Sequence, residues 1–174
     1  MAAIPFQQRP EFLVGRDGEQ RVADWLKEFG WYVIPSYDYS GENGSKAPKL
    51  QGLRDGYPVP DLDIARSGAR RWVEVKTKKD ANWTYKTGRL EHGIEHYDDY
   101  LRVAEETGTE AWLAVYELEA SYDLAAQRRV GPDLLIQSFD KLGEPRRSTM
   151  SGKRMAYWPR AAFDRFNICQ RDAG

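Results

Sequence analysis

The chain holds a single cysteine, Cys169, among its 174 residues. One thiol excludes an intramolecular disulfide and fits a reducing, cytoplasmic setting. Histidine is scarce too, with two residues, His92 and His96. At helical spacing their rings share a face, which suits a plain surface pair or two ligands of a zinc ion. No cysteine or third histidine lies close in sequence to complete such a site. Long apolar runs are missing: no segment approaches the roughly 20 residues that span a bilayer. Met1 to Pro10 carries no signal-peptide pattern, so no membrane association is expected. An excess of one charge is missing as well. With 26 Lys and Arg against 27 Asp and Glu, the net charge is −1. The whole-molecule field will therefore not draw the protein onto nucleic acid, and any such binding must rest on a local patch.

What is present is an ordinary globular composition, 41% hydrophobic and 30% charged. The length suits one domain over 1–174 with a buried core. Gly15 to Phe29 reads as a helix, with Val22, Leu26 and Phe29 on one stripe and Gly30 as its stop. Glu19 extends that stripe towards the N-terminus. It is either a first-turn glutamate favoured by the helix dipole or an acid aimed inward. Trp31 to Tyr37 reads as a strand. Residues 38–58 lack periodicity and form a long loop that delivers the chain to Asp61, of a length that is often functional. Further on, Lys79 to Glu91 reads as a polar loop and His92 to Thr107 as an amphipathic helix. Ala111 to Tyr116 reads as an apolar strand, and Leu118 to Val130 fits no single element. Leu134 to Gln137 and Met155 to Trp158 read as strands, Gly143 to Lys153 as a turn-rich basic stretch, and Pro159 opens a short last helix. The expected architecture is α/β, a mixed central sheet flanked by helices. Its core spans about 15–117, and 118–174 form a C-terminal elaboration.

The stretch Val59 to Lys78 is unusual. Ser67-Gly68 suits a two-residue hairpin loop. Arg66 then opposes Ala69, and counting back puts Asp61 opposite Glu74. Opposed residues share a face, with Cβ atoms about 5 Å apart, and alternation puts Asp63 and Lys76 on that face too. Leu62, Ile64, Val73 and Val75 project to the other side, towards a core. Facing carboxylates repel unless something positive lies between them. Hard oxygen donors of this kind suit Mg²⁺ or Mn²⁺. A sheet face on which Lys76 salt-bridges Glu74 or Asp61 is the simpler alternative.

Basic residues cluster around the hairpin: Arg66, Arg70, Arg71, Lys76, Lys78, Lys79, Lys86 and Arg89. Trp83 and Tyr85 interleave with them, which suits contact with phosphates and bases. Arg146, Arg147, Lys153 and Arg154 form a second group. Pro132-Asp133 repeats the Pro-Asp pair, but no Glu-x-Lys follows it.

Pro60-Asp61 followed by Glu74-Val75-Lys76, behind an opening helix that begins Gly15-Arg-Asp-Gly-Glu19, resembles the PD-(D/E)XK nuclease superfamily. The closest pattern is that of the archaeal Holliday junction resolvase branch and its bacterial relatives. The resemblance covers Gly15 to Tyr116. It implies a restriction-endonuclease-like core of order αβββαβ and Mg²⁺- or Mn²⁺-dependent cleavage of DNA, with symmetric dimers among the relatives. It further implies that Asp61 and Glu74 ligate the metal, with the Val75 carbonyl as a third donor. Lys76 would act on the attacking water and the phosphate, and Glu19 would support the site. Asp63 departs from the usual apolar residue and is either an extra ligand or a partner for a cation. Some relatives carry Gln-x3-Tyr on the following helix. Here His96-x3-Tyr100 stands in that place, so His96 and Tyr100 are auxiliary candidates. Arg70, Arg71, Lys78, Lys79, Lys86 and Arg89 are the expected DNA contacts. A DNA-binding module that does not cut, and a protein-interaction domain with surface salt bridges, are the alternatives.

Overall fold

The computed structural model describes residues 8–35, 49–51 and 56–167. The elements run α1 (Pro10–Glu28), β1 (Tyr32–Pro35), β2 (Lys49–Gln51), β3 (Gly56–Pro58), β4 (Leu62–Arg66), β5 (Ala69–Lys78), β6 (Asn82–Thr84), β7 (Arg89–Ile94), α2 (Tyr97–Thr107) and β8 (Glu110–Glu117). There follow β9 (Ser121–Asp123), β10 (Arg128–Val130), β11 (Asp133–Ser138), α3 (Phe139–Leu142), β12 (Arg146–Met150), β13 (Lys153–Pro159), a 3₁₀ turn (Arg160–Ala162) and β14 (Asp164–Asn167). The main sheet has the order β1-β4-β5-β8-β11-β14. Among the described residues, only β5 and β8 pair in parallel, joined by a crossover that contains α2. The αβββαβ core expected from the sequence is therefore α1, β1, β4, β5, α2 and β8.

Helix α1 starts earlier than its apolar stripe indicates, because Pro10 sits in the first turn, where its missing N–H costs nothing. It stops where Gly30 takes φ 80°, a conformation glycine adopts without steric penalty. Its Val22, Ala23 and Leu26 pack on Leu62, Ile64, Val73 and Val75, so these hairpin residues do face a core. Burial of Val22 and Leu26, both fully enclosed, contributes about 1.5–3 kcal/mol each. The opposite sheet face is not an open charged surface. Trp72, Leu113, Val115 and Leu135 pack there against Tyr97, Tyr100 and Val103 of α2. Glu74, on this same face, lies midway along β5 and is buried.

Several sequence expectations give way on this second face. The polar loop 79–91 contains the hairpin β6–β7, and the supposed start of the second helix is strand: His92 and Ile94 lie in β7. The helix begins at Tyr97, after His96 turns the chain with φ 59°. The basic stretch 143–153 contains β12, joined to β13 by a Ser151-Gly152 turn in which both φ angles are positive. Together these strands make a second sheet of order β12-β13-β7-β6. Ala156, Trp158 and Ile94 bring it into the same core as α2. The ambiguous segment 118–130 contains the hairpin β9–β10, and the last short helix is a 3₁₀ turn leading into β14 at the sheet edge. Of the 38–58 loop, the described parts form the β2–β3 ladder, with Leu50 and Tyr57 against the core. The remainder, and the strand residues beyond Pro35, lie outside the described residues. No helix among the described residues is long and apolar enough to cross a membrane.

Candidate active site

The register at the centre of the site follows from its turn. Ser67 and Gly68 both adopt positive φ, as a two-residue turn between right-twisted strands requires. Arg66 then pairs with Ala69 and Leu62 with Val73. Asp61 is the next residue back along this register. Its Oδ2 accepts the Val75 backbone N–H at 2.9 Å, which fixes the carboxylate beside β5. Asp61 is 7% exposed and Glu74 1%. Two acids this deeply enclosed require a reason.

Glu74 has two different oxygens. Oε1 accepts the Tyr100 hydroxyl at 2.7 Å and ion-pairs with the Lys76 ammonium. Oε2 is buried and has no hydrogen-bond partner. Asp61 is held well above the usual carboxylate range, chiefly by burial and then by the charge of Glu74, against the lowering effects of Lys76 and the Val75 N–H. Glu19 is also raised, first by burial, with Lys76 opposing and Glu74 adding to the shift. Helix α1 therefore does bring Glu19 into electrostatic contact with Glu74 and Lys76 of the hairpin.

That approach depends on Gly18. A Cβ at this position would overlap the Thr77 side chain, whose Oγ1 is itself buried and unpartnered. Gly18→Ala should cost roughly 1–3 kcal/mol as an overpacking substitution, read by thermal melting. Thr77→Ala in the same chain should restore part of the loss.

The other singled-out residues scatter. Asp63 faces Trp72 across the ladder and is held by Arg70 through two hydrogen bonds of 2.9 and 2.7 Å. Arg71 pairs with Glu110, Lys79 with Glu119 and Arg89 with Glu91. Lys86 is exposed in the β6–β7 turn, beside the exposed Tyr85. His96 is exposed, its ring edge-on to Tyr100 and its Nδ1 3.2 Å from Asp99. His92 lies instead in the interior, 2.8 Å from Glu117. The two histidines thus share no helical face, and neither the surface pair nor the zinc pair that their spacing left open forms. Arg146 holds Glu91, Arg147 pairs with Asp98 and Lys153 with Glu95.

Tyr100, an auxiliary candidate in the sequence, reaches Glu74 with its hydroxyl. Glu95 and Glu117 had no role assigned from the sequence, since the residues they pair with, Lys153 and Arg160, lie far along the chain. Among the described residues, no group of three or more His, Cys, Asp or Glu side chains is arranged to hold a metal ion unaided.

Comparison with solved structures places the fold. The chain is similar to Hjc, a Holliday junction resolvase from Archaeoglobus fulgidus, at 14% identity and a TM-score of 0.51, with 90% of this chain and 98% of that one covered. It also matches D212, a nuclease from a fusselovirus, at 9% identity and a TM-score of 0.39, covering 95% and 90% of the two chains. No family model and no curated protein matches the sequence. The fold is restriction-endonuclease-like.

Proposed function

We propose that this protein is a divalent-metal-dependent endonuclease that hydrolyses phosphodiester bonds in DNA, with branched or junction-type DNA as its substrate. The observation that carries the reading is the buried, unpartnered Oε2 of Glu74, beside an Asp61 carboxyl whose ionisation the surroundings oppose. A cation at that point would satisfy both acids. The fold shared with a Holliday junction resolvase supports the choice of substrate.

The donors fit Mg²⁺ or Mn²⁺. These ions take hard oxygen, and Mg²⁺ is usually held by one or two carboxylates, with substrate phosphate and waters completing the shell. Asp61 and Glu74 would hold the ion, with the Val75 carbonyl as a further donor and Glu19 in support. When bound, such an ion acts as a Lewis acid towards a phosphoryl oxygen and makes water more acidic. The remaining work falls to the chain. Tyr100 fixes Glu74 through Oε1 and leaves Oε2 for the ligand. Lys76, on the same strand face, supplies positive charge where negative charge develops in the transition state.

Incubation of the purified protein with a four-way junction, a linear duplex and single-stranded DNA tests this reading. Cleavage with Mg²⁺ or Mn²⁺, strongest on the junction and abolished by EDTA, is expected. Failure to cut any of the three with either metal would sink it. Metal-independent binding without cutting would point instead to a non-catalytic DNA-binding module.

A further inference from the structure

The basic residues around the site differ in one respect that composition hides. Arg70, Arg71, Lys76, Lys79 and Arg89 each have a carboxylate within ion-pair distance. Across the cleft between α2 and the β12–β13 hairpin, Arg147 and Lys153 are likewise paired. Lys78 is the exception on the site's own strand. It is only partly exposed, and among the described residues its ammonium has neither a hydrogen bond nor an ion pair.

Its position is specific. Alternation along β5 puts Lys78 on the face that carries Glu74 and Lys76. The two acids that would neutralise it are engaged elsewhere. Glu95, the carboxylate that acts on it electrostatically, is held by Lys153 at 2.8 Å. Glu117, its register partner on β8, is held by Arg160 and His92. Burial, and then the neighbouring charge of Lys76, pull the Lys78 ammonium below the usual lysine range, with Glu95 opposing. A half-desolvated cation beside a like charge costs stability, and an incoming anion reverses that cost.

We propose that Lys78 is the phosphate-holding cation of this site, receiving a backbone phosphate of the nucleic-acid strand next to the one that Lys76 faces. Two residues along a strand span about 6.6 Å, a separation suited to neighbouring phosphates on one strand. The division of labour follows from the pairing. Lys76 is tied to Glu74 and serves the reacting centre, while Lys78 has its charge available for the ligand. The assignment rests on the nuclease reading above.

The test uses the full chain, with Lys78→Met to remove the charge at similar size and Lys78→Arg to keep it. Binding of a labelled four-way DNA junction is followed by anisotropy in EDTA across a range of salt. Lys78→Met should weaken binding on the order of tenfold at low salt, and should lower the slope of log K against log salt by about one. Lys78→Arg should keep the wild-type slope. Lys78→Met should also melt higher than wild type and bind Mn²⁺ with unchanged affinity by calorimetry. A structural role would not produce tighter folding together with weaker DNA binding. Unchanged DNA affinity and slope in Lys78→Met, or parallel loss of Mn²⁺ and DNA binding, would overturn the assignment. A wild type that neither binds nor cuts the junction would instead remove the nuclease reading itself.

Discussion

Asp61→Asn is expected to reduce cleavage on the order of 10²–10³-fold or more, the usual consequence of removing one preorganised charged group from a reacting centre. It should also make the metal-free protein more stable. The carboxyl is enclosed and faces Glu74, and both effects favour its protonated form. A carboxyl whose pKa is higher in the folded than in the unfolded state holds its proton more tightly in the fold. Its ionisation therefore costs stability. That cost is absent below the ordinary aspartate value of 3.8, and it grows as pH climbs through the raised folded value. In EDTA, wild type should lose melting temperature over that window more steeply than Asp61→Asn. Asparagine keeps an oxygen to accept the Val75 N–H, so the local geometry survives. Added Mn²⁺ should invert the order: a ligand at 100 times its Kd stabilises by about 2.7 kcal/mol, and only wild type retains both carboxylates. Undiminished cleavage by the variant would remove Asp61 from the site. A variant less stable than wild type in EDTA would mean that the acid is there for structure.

The parts of this site that could be read from the sequence are local ones. The Ser67-Gly68 turn determines which residues oppose one another, because a two-residue loop admits one register. Asp61, Glu74 and Lys76 could thus be placed together from spacing alone, and the Val22–Leu26 stripe gave the face of α1 that turns Glu19 inward. What could not be read was every feature built by pairs far apart in the chain. Strand β7 reads Arg-Leu-Glu-His-Gly-Ile, a poor strand pattern, because Glu91 and His92 are interior residues. Their partners Arg146 and Glu117 come from other elements, and Glu117 is in turn held by Arg160. Its pairing of His92 with Trp158 joins segments on either side of two core strands. The apolar period of α2 also runs back through Ile94, which is buried as strand rather than helix. Periodicity therefore overshot the true helix start at Tyr97. Asp63 lies on the expected face, yet Arg70, seven residues on, had no feature in the sequence to mark it as its partner.

The buried network at Glu117 predicts the largest stability effect in the molecule. The Glu117 side chain is 0% exposed. It accepts Arg160 Nε at 2.8 Å and Nη2 at 2.7 Å, lies 2.8 Å from His92 Nε2, and accepts the Asp133 backbone N–H at 3.0 Å. Gly131, at φ 80°, leaves room for the pair. Burial alone would raise this carboxyl, but the hydrogen bonds from Arg160 and His92 outweigh it and hold it at about 2. Because the folded value lies below the unfolded one, the stabilisation is fully present above about 4.5 and is lost as pH falls towards 2. At about 1.4 kcal/mol per unit, the shift corresponds to roughly 3 kcal/mol. Glu117→Gln removes the charge and turns an amide donor towards groups that are already donors. Leaving Arg160 with only the partly exposed Asp133 as its counter-charge should cost about 3 kcal/mol, read by denaturant unfolding at neutral pH, and the deficit should shrink towards pH 2. Glu117→Leu with Arg160→Met should recover part of it, since replacing both buried charges avoids an under-compensated cation and leaves only the partly exposed Asp133 without its partner. The network joins β7 to β8, β11 and the 3₁₀ turn. Its loss should therefore show first as faster amide exchange in β7 and β13, the strands that hold the second sheet against α2. A deficit under 1 kcal/mol, or one that does not change between pH 4.5 and 2, would mean that packing around Trp158, rather than this charge cluster, holds the second sheet in place.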